Sequence, residues 1–63
     1  MNNLNNKVFT NNMKNILYKL NKDGKVVTAS VRESDKWHNS LYSKEELIQL
    51  INDGFMSEYN KNN

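Results

Sequence analysis

His38 is the only histidine in the chain, and its imidazole is the one side chain whose unperturbed pKa suits proton transfer near neutral pH. It lies in the stretch ESDKWHNSLYS, residues 33–43. General-base chemistry also needs a nucleophile within hydrogen-bond reach and a donor for the developing oxyanion. No spacing in this stretch identifies either. Glu45 and Glu46 are adjacent, so on a helix they point to different faces and form no acid–base pair. The chain has no cysteine, which removes thiolate nucleophiles, disulfides and thiolate metal sites. One histidine cannot build a zinc site alone, and the carboxylates fall in no ligand pattern. The two glycines read as a turn and a helix cap, which leaves none for a phosphate-cradling loop. The sequence therefore predicts no catalytic residue, no metal and no cofactor.

The chemistry that remains is that of binding. Trp37, His38, Leu41 and Tyr42 follow closely on Arg32, Glu33, Asp35 and Lys36. Trp, Tyr and Arg dominate binding hot spots, and a non-periodic loop on a rigid frame is where contact residues gather. These eight side chains form the predicted partner-binding set. The competing reading has Trp37 and Leu41 folding back to close the open end of a small core, because a small domain needs every apolar residue it has. A second kind of partner is nucleic acid. Residues 1–32 carry six basic and one acidic side chain, net +5, whereas residues 33–63 are net −3. Lys19, Lys22, Lys25 and Arg32 are the phosphate-contact set in that reading. Against it, the predicted helix is net acidic and no aromatic pair at strand spacing makes a stacking platform.

The elements that must hold these residues are short. Asp23-Gly24 is a two-residue hairpin signal of type I′. That turn pairs Leu20 with Val27, Tyr18 with Ala29 and Ile16 with Val31 on one face. Asn21 with Val26, Lys19 with Thr28 and Leu17 with Ser30 then fall on the other, half-polar face. Downstream, Ser43 and Glu46 form a capping box, and Tyr42 with Leu47 a hydrophobic staple. Leu47, Ile48, Leu50 and Ile51 make the apolar stripe. Gly54 and Phe55 suit a Schellman stop in which Phe55 packs on Leu50. The helix should span residues 44–52 and dock on the Ile16/Tyr18/Leu20 face, since it is too short to stand alone. FMSEY, residues 55–59, alternates as a short further strand, and KVFT, residues 7–10, reads as an edge strand or disorder. The fold class is α+β, in the order ββαβ. Its domain covers residues 13–59, with loosely ordered residues 1–12 ahead of it and a disordered tail, 60–63.

A chain of 63 residues is one domain at most, and its area-minus-entropy balance sits near zero. With disulfides and metal set aside, self-association is the remaining support, so a homodimer is expected. Thirteen asparagines, many near the ends, suggest AT-rich coding DNA more than a mechanism. No apolar run is long enough to span a membrane, and the start lacks a secretory apolar region. The expected location is cytoplasmic, with no membrane partner.

The pattern ILYKLNKDGKVVTASV…LYSKEELIQLINDGF, about residues 15–56, resembles short uncharacterised ββα(β) domains of Gram-positive bacteria and their phages. In element order the chain is similar to the small dimeric phage inhibitors of uracil-DNA glycosylase, although those are acidic and this chain is basic overall. The resemblance implies a small non-enzymatic interaction module. Its most concrete version is a phage or mobile-element protein, working in the host cytoplasm, that binds and inhibits a host enzyme or defence component. Uracil-DNA glycosylase inhibition is one such case. The alternative is a nucleic-acid-binding accessory protein that uses the basic N-terminal half.

Overall fold

The computed structural model describes residues 7–59. Five strands and one helix follow in order: β1 (Phe9–Asn11), β2 (Ile16–Leu20), β3 (Val26–Ser30), β4 (His38–Asn39), α1 (Lys44–Asn52) and β5 (Met56–Glu58). A 3-10 turn, Val31–Glu33, leaves β3. The strands form one antiparallel sheet in the order β4-β3-β2-β1-β5. The first four run as a meander. The chain then crosses one face as α1 and returns as β5, which pairs with β1 at the far edge. This is the α+β class read from the sequence, with two strands more than ββαβ. Among the described residues, no helix is long and apolar enough to cross a membrane.

One of the extra strands is β1. Neither edge strand nor disorder describes it: it lies between β2 and β5, with Phe9 and Thr10 buried. The folded unit therefore begins ahead of residue 13, and only residues 1–6 of the expected loose segment, with the tail 60–63, lie outside the described residues. Asparagines build the turn from β1 to β2. The Asn11 carboxamide oxygen accepts from the backbone N–H groups of Asn15 and Ile16 at 3.1 and 3.3 Å, and its amide donates to the Asn15 side chain at 2.7 Å. Coding bias alone does not account for residues placed in this way. Lys14 completes the turn with a φ of +58°.

The hairpin joining β2 and β3 sits where Asp23-Gly24 placed it, but its register is shifted by one residue. Leu20 pairs with Val26, Lys19 with Val27, Tyr18 with Thr28, Leu17 with Ala29 and Ile16 with Ser30. Asn21 and Lys25 close a three-residue loop: the Asn21 N–H donates to the Lys25 carbonyl at 2.8 Å and the Gly24 N–H to the Asn21 carbonyl at 2.9 Å. The Asn21 side chain accepts from the N–H groups of Asp23 and Lys25 at 2.9 and 3.0 Å. Only Gly24 of the loop has positive φ, +80°, whereas a type I′ turn would force Asp23 there too. An Asp in that region costs about 1 kcal/mol, so the longer loop wins by avoiding that strain and adding two hydrogen bonds.

The slip redistributes β3. Val26, expected on the half-polar face, joins Phe9, Leu20, Leu47 and Met56 in the core under the helix, with Tyr18, Ile48, Leu50 and Ile51 packed around them. The helix thus docks on the Tyr18/Leu20 face as expected. Val27, Ala29 and Leu17 fall on the opposite face and are buried there too, as is Thr10. The Thr10 hydroxyl donates to the Ile16 carbonyl at 2.8 Å, which removes the cost of burying it.

Helix α1 has the bounds read from the sequence. Both capping-box bonds are present: the Glu46 N–H donates to Ser43 Oγ at 3.1 Å, and the Ser43 N–H to the Glu46 carboxylate at 2.8 Å. The stop is a Schellman motif, with Phe55 N–H donating to the Leu50 carbonyl at 2.9 Å, Gly54 N–H to the Ile51 carbonyl at 3.2 Å, and Gly54 at a φ of +84°. The Phe55 ring stays mostly in solvent, 57% exposed, so the backbone part of the motif carries the stop. Strand β5 forms where it was expected and buries Met56. Its continuation is held by the Tyr59 N–H on the Val8 carbonyl at 2.7 Å.

Candidate functional site

The stretch that showed no period is ordered by hydrogen bonds. Ser30 Oγ accepts from the Arg32 N–H at 3.3 Å as β3 turns away. The Lys36 N–H donates to the Glu33 carbonyl at 2.9 Å and closes the loop back. Residues 38 and 39 then form β4, a strand the sequence did not reveal, pairing Thr28 with His38 and Val27 with Asn39. The Ser40 N–H continues the ladder onto the Val26 carbonyl at 3.0 Å, and Ser40 Oγ accepts from the Tyr42 N–H at 3.1 Å. The segment is therefore clipped to the sheet edge rather than free in solvent.

Strand alternation sends its side chains in different directions. Trp37, one residue before His38 and two before Asn39, belongs to the face away from the helix. There the Lys19 ammonium sits 4.3 Å from its ring centroid. Trp37 is half-buried, and it belongs to neither extreme of the sequence reading: it is not part of the core under the helix, and it is not wholly in water. Tyr42 turns to the helix side and meets Tyr18, ring centroids 5.8 Å apart and tilted by 57°. Tyr18 is thus its aromatic partner. Burial first, and the neighbouring Tyr42 second, raise the Tyr18 phenol above its ordinary pKa. Between Trp37 and Tyr42, Leu41 is fully exposed, so it plugs no core. His38 sits exposed on β4.

Arg32, Glu33, Asp35 and Lys36 are exposed around the 3-10 turn. Glu33 and Lys36 form an ion pair at 3.5 Å, and exposed pairs of this kind contribute little. The phosphate-contact set is scattered. Lys19 is taken up by Trp37, Lys22 lies at the hairpin tip, and Arg32 lies on the 3-10 turn. Only Lys25 reaches an open groove of about 520 Å³ between the hairpin tip, β4 and the start of α1. Val26, Ser40, Tyr42, Lys44 and Glu45 help to line it. Lys44 and Ser40 were not among the predicted site residues, and nothing in the sequence marks them, because pairing of β3 with β4 is what brings hairpin tip and helix start together. Comparison with family models, with curated proteins and with solved structures finds no match to the chain.

Proposed function

We propose that this chain is a small, non-enzymatic protein–protein interaction module whose contact surface is the sheet edge from Arg32 to Tyr42. The observation that carries this is Leu41: a leucine fully exposed between Ser40, whose N–H bonds to the Val26 carbonyl of the sheet, and Tyr42, whose N–H bonds back to Ser40 Oγ. Trp37 and Tyr42 flank it, one on each side of the edge. A rigid frame presenting aliphatic and aromatic side chains loses little entropy on binding, and these types serve as hot-spot anchors. The target is a host enzyme or defence component, with uracil-DNA glycosylase one concrete case on element order alone. The chain acts in the host cytoplasm as a phage or mobile-element protein. Its Asn-rich composition supports that setting.

The test is capture from bacterial lysate on immobilised wild type and on Trp37→Ala, with circular dichroism to establish that the variant folds, since Trp37 lies on the face where Val27 and Ala29 are buried. The expected result is a protein retained by wild type at both low and high salt and lost from the variant. Equal retention by both would remove Trp37 from the contact surface. Retention that collapses with added salt and with nuclease treatment would instead identify phosphate binding.

A further inference from the structure

We infer that Asp23 is a site of spontaneous backbone modification, where its link to Gly24 rearranges to isoaspartate and lengthens the hairpin loop. The chain holds two Asp-Gly links, Asp23-Gly24 and Asp53-Gly54, and the fold sets them apart. In such a link the glycine backbone nitrogen attacks the aspartate Cγ. A C–N bond forms as a C–O bond of the carboxyl group breaks, and that hydroxyl leaves with the amide proton as water. Water then opens the five-membered succinimide at the α-carbonyl, and the main chain runs on through Cβ and Cγ. One water leaves and one enters, so the mass is unchanged and no other reactant is needed.

Space does not distinguish the two links. Both aspartates are exposed, and a Cβ placed on either glycine would meet no atom within 4 Å. The difference lies in the carboxylates. Both oxygens of Asp53 accept from the Gln49 amide at 3.0 Å, so bringing its Cγ onto the Gly54 nitrogen breaks these bonds at the helix stop. Among the described residues, the Asp23 carboxylate accepts no hydrogen bond and joins no ion pair. Asp23 is held by its N–H on the Asn21 carboxamide oxygen at 2.9 Å. The Gly24 N–H is bonded to the Asn21 carbonyl, but at an exposed hairpin tip such a bond opens by local fraying.

The product changes more than the tip. Isoaspartate places an extra main-chain carbon in the loop that Asn21 and Lys25 close, and the bonds from Asp23, Gly24 and Lys25 to Asn21 cannot all persist around it. Gly24 and Lys25 also line the groove beside Tyr42, so the rearrangement remodels a wall next to the contact edge.

The full chain, held in mildly acidic buffer at physiological temperature with and without denaturant, tests this. Cleavage after glutamate puts the two links on separate peptides, 1–33 and 47–58. Chromatography with electron-transfer fragmentation then separates isoaspartate from aspartate in each. In denaturant the two links should react at similar rates. In the folded chain Asp23 should react about tenfold faster than Asp53, the ratio that an opening difference of about 1.4 kcal/mol gives. Gln49→Ala, at an exposed position, should speed Asp53 and leave Asp23 unchanged. Asp23→Ser should leave peptide 1–33 free of isoaspartate. A folded chain that modifies Asp53 as fast as Asp23 overturns the inference. So does one in which Asp23 stays intact while the denatured chain reacts, or a Gln49→Ala chain with the wild-type ratio.

Discussion

Replacing Asn21 with Ala tests why the hairpin holds a three-residue loop. The substitution leaves the backbone bonds between Asn21 and Lys25 and between Gly24 and Asn21 in place. It removes the two bonds that the side chain accepts from Asp23 and Lys25. Both are at an exposed turn, where each contributes about 0.5–1 kcal/mol, so the expected loss is about 1–2 kcal/mol. For a domain of this size that lowers Tm by roughly 5–15 °C. The register should survive, because the two-residue alternative still places Asp23 at positive φ at about 1 kcal/mol. Circular-dichroism melts measure the loss. Proton NMR reads the register: Tyr18 faces Thr28, and a close α-proton contact between them identifies this pairing, whereas the alternative pairs Tyr18 with Ala29. Unchanged stability would show that the Asn21 bonds contribute nothing. A close Lys19–Thr28 α-proton contact in the variant, the non-hydrogen-bonded pair of the two-residue alternative, would show that the backbone preference at Asp23 is too small to hold the register alone.

Ser43→Ala removes the hydroxyl that caps Glu46 N–H and should cost about 1 kcal/mol in urea melts, with Ser43→Asp recovering most of it. Lys14, held at a φ of +58°, is strained there in a way Asn is not, so Lys14→Asn should stabilise by up to about 1 kcal/mol; a loss would mean that the Lys14 stem packs on the turn. Because burial raises the Tyr18 pKa, the fold favours its neutral form. That stability is complete below the ordinary phenol pKa of about 10 and is lost as pH rises through the higher folded value. Melts at stepped alkaline pH should show this decline, and Tyr18→Phe should reduce it.

Local chemistry was legible in the chain and long-range pairing was not. The helix could be read from Ser43 to Gly54 because each signal acts within one turn: Ser43 on Glu46, Leu50 on Phe55. The hairpin's place was legible from Asp23-Gly24, but its register was not. In VVTAS, apolar residues stand at both parities, so a one-residue slip still leaves an apolar face toward the helix, and hydrophobic pattern alone could not choose. The choice lay in the loop itself, where Asp23 avoids positive φ and the Asn21 side chain, which composition had made look like background, adds two hydrogen bonds.

The amino-acid sequence by itself determined the α+β class, the helix with both its caps, the site of the hairpin turn and the short strand after the helix. Each follows from side chains acting on backbone within a few residues. Tertiary structure decided the rest. Strand β1 has three residues and no pattern of its own; it is a strand because β2 and β5 supply partners on both sides. Strand β4 exists because β3 offers it an edge, and that pairing sends Trp37 to one face, Tyr42 to the other and Leu41 into solvent. The groove joins residues 24–26 to residues 39–45, which only the closed sheet brings together. Burial and pairing between distant segments are properties of the assembled sheet, so a local reading of the residues could nominate the contact segment but could not orient it.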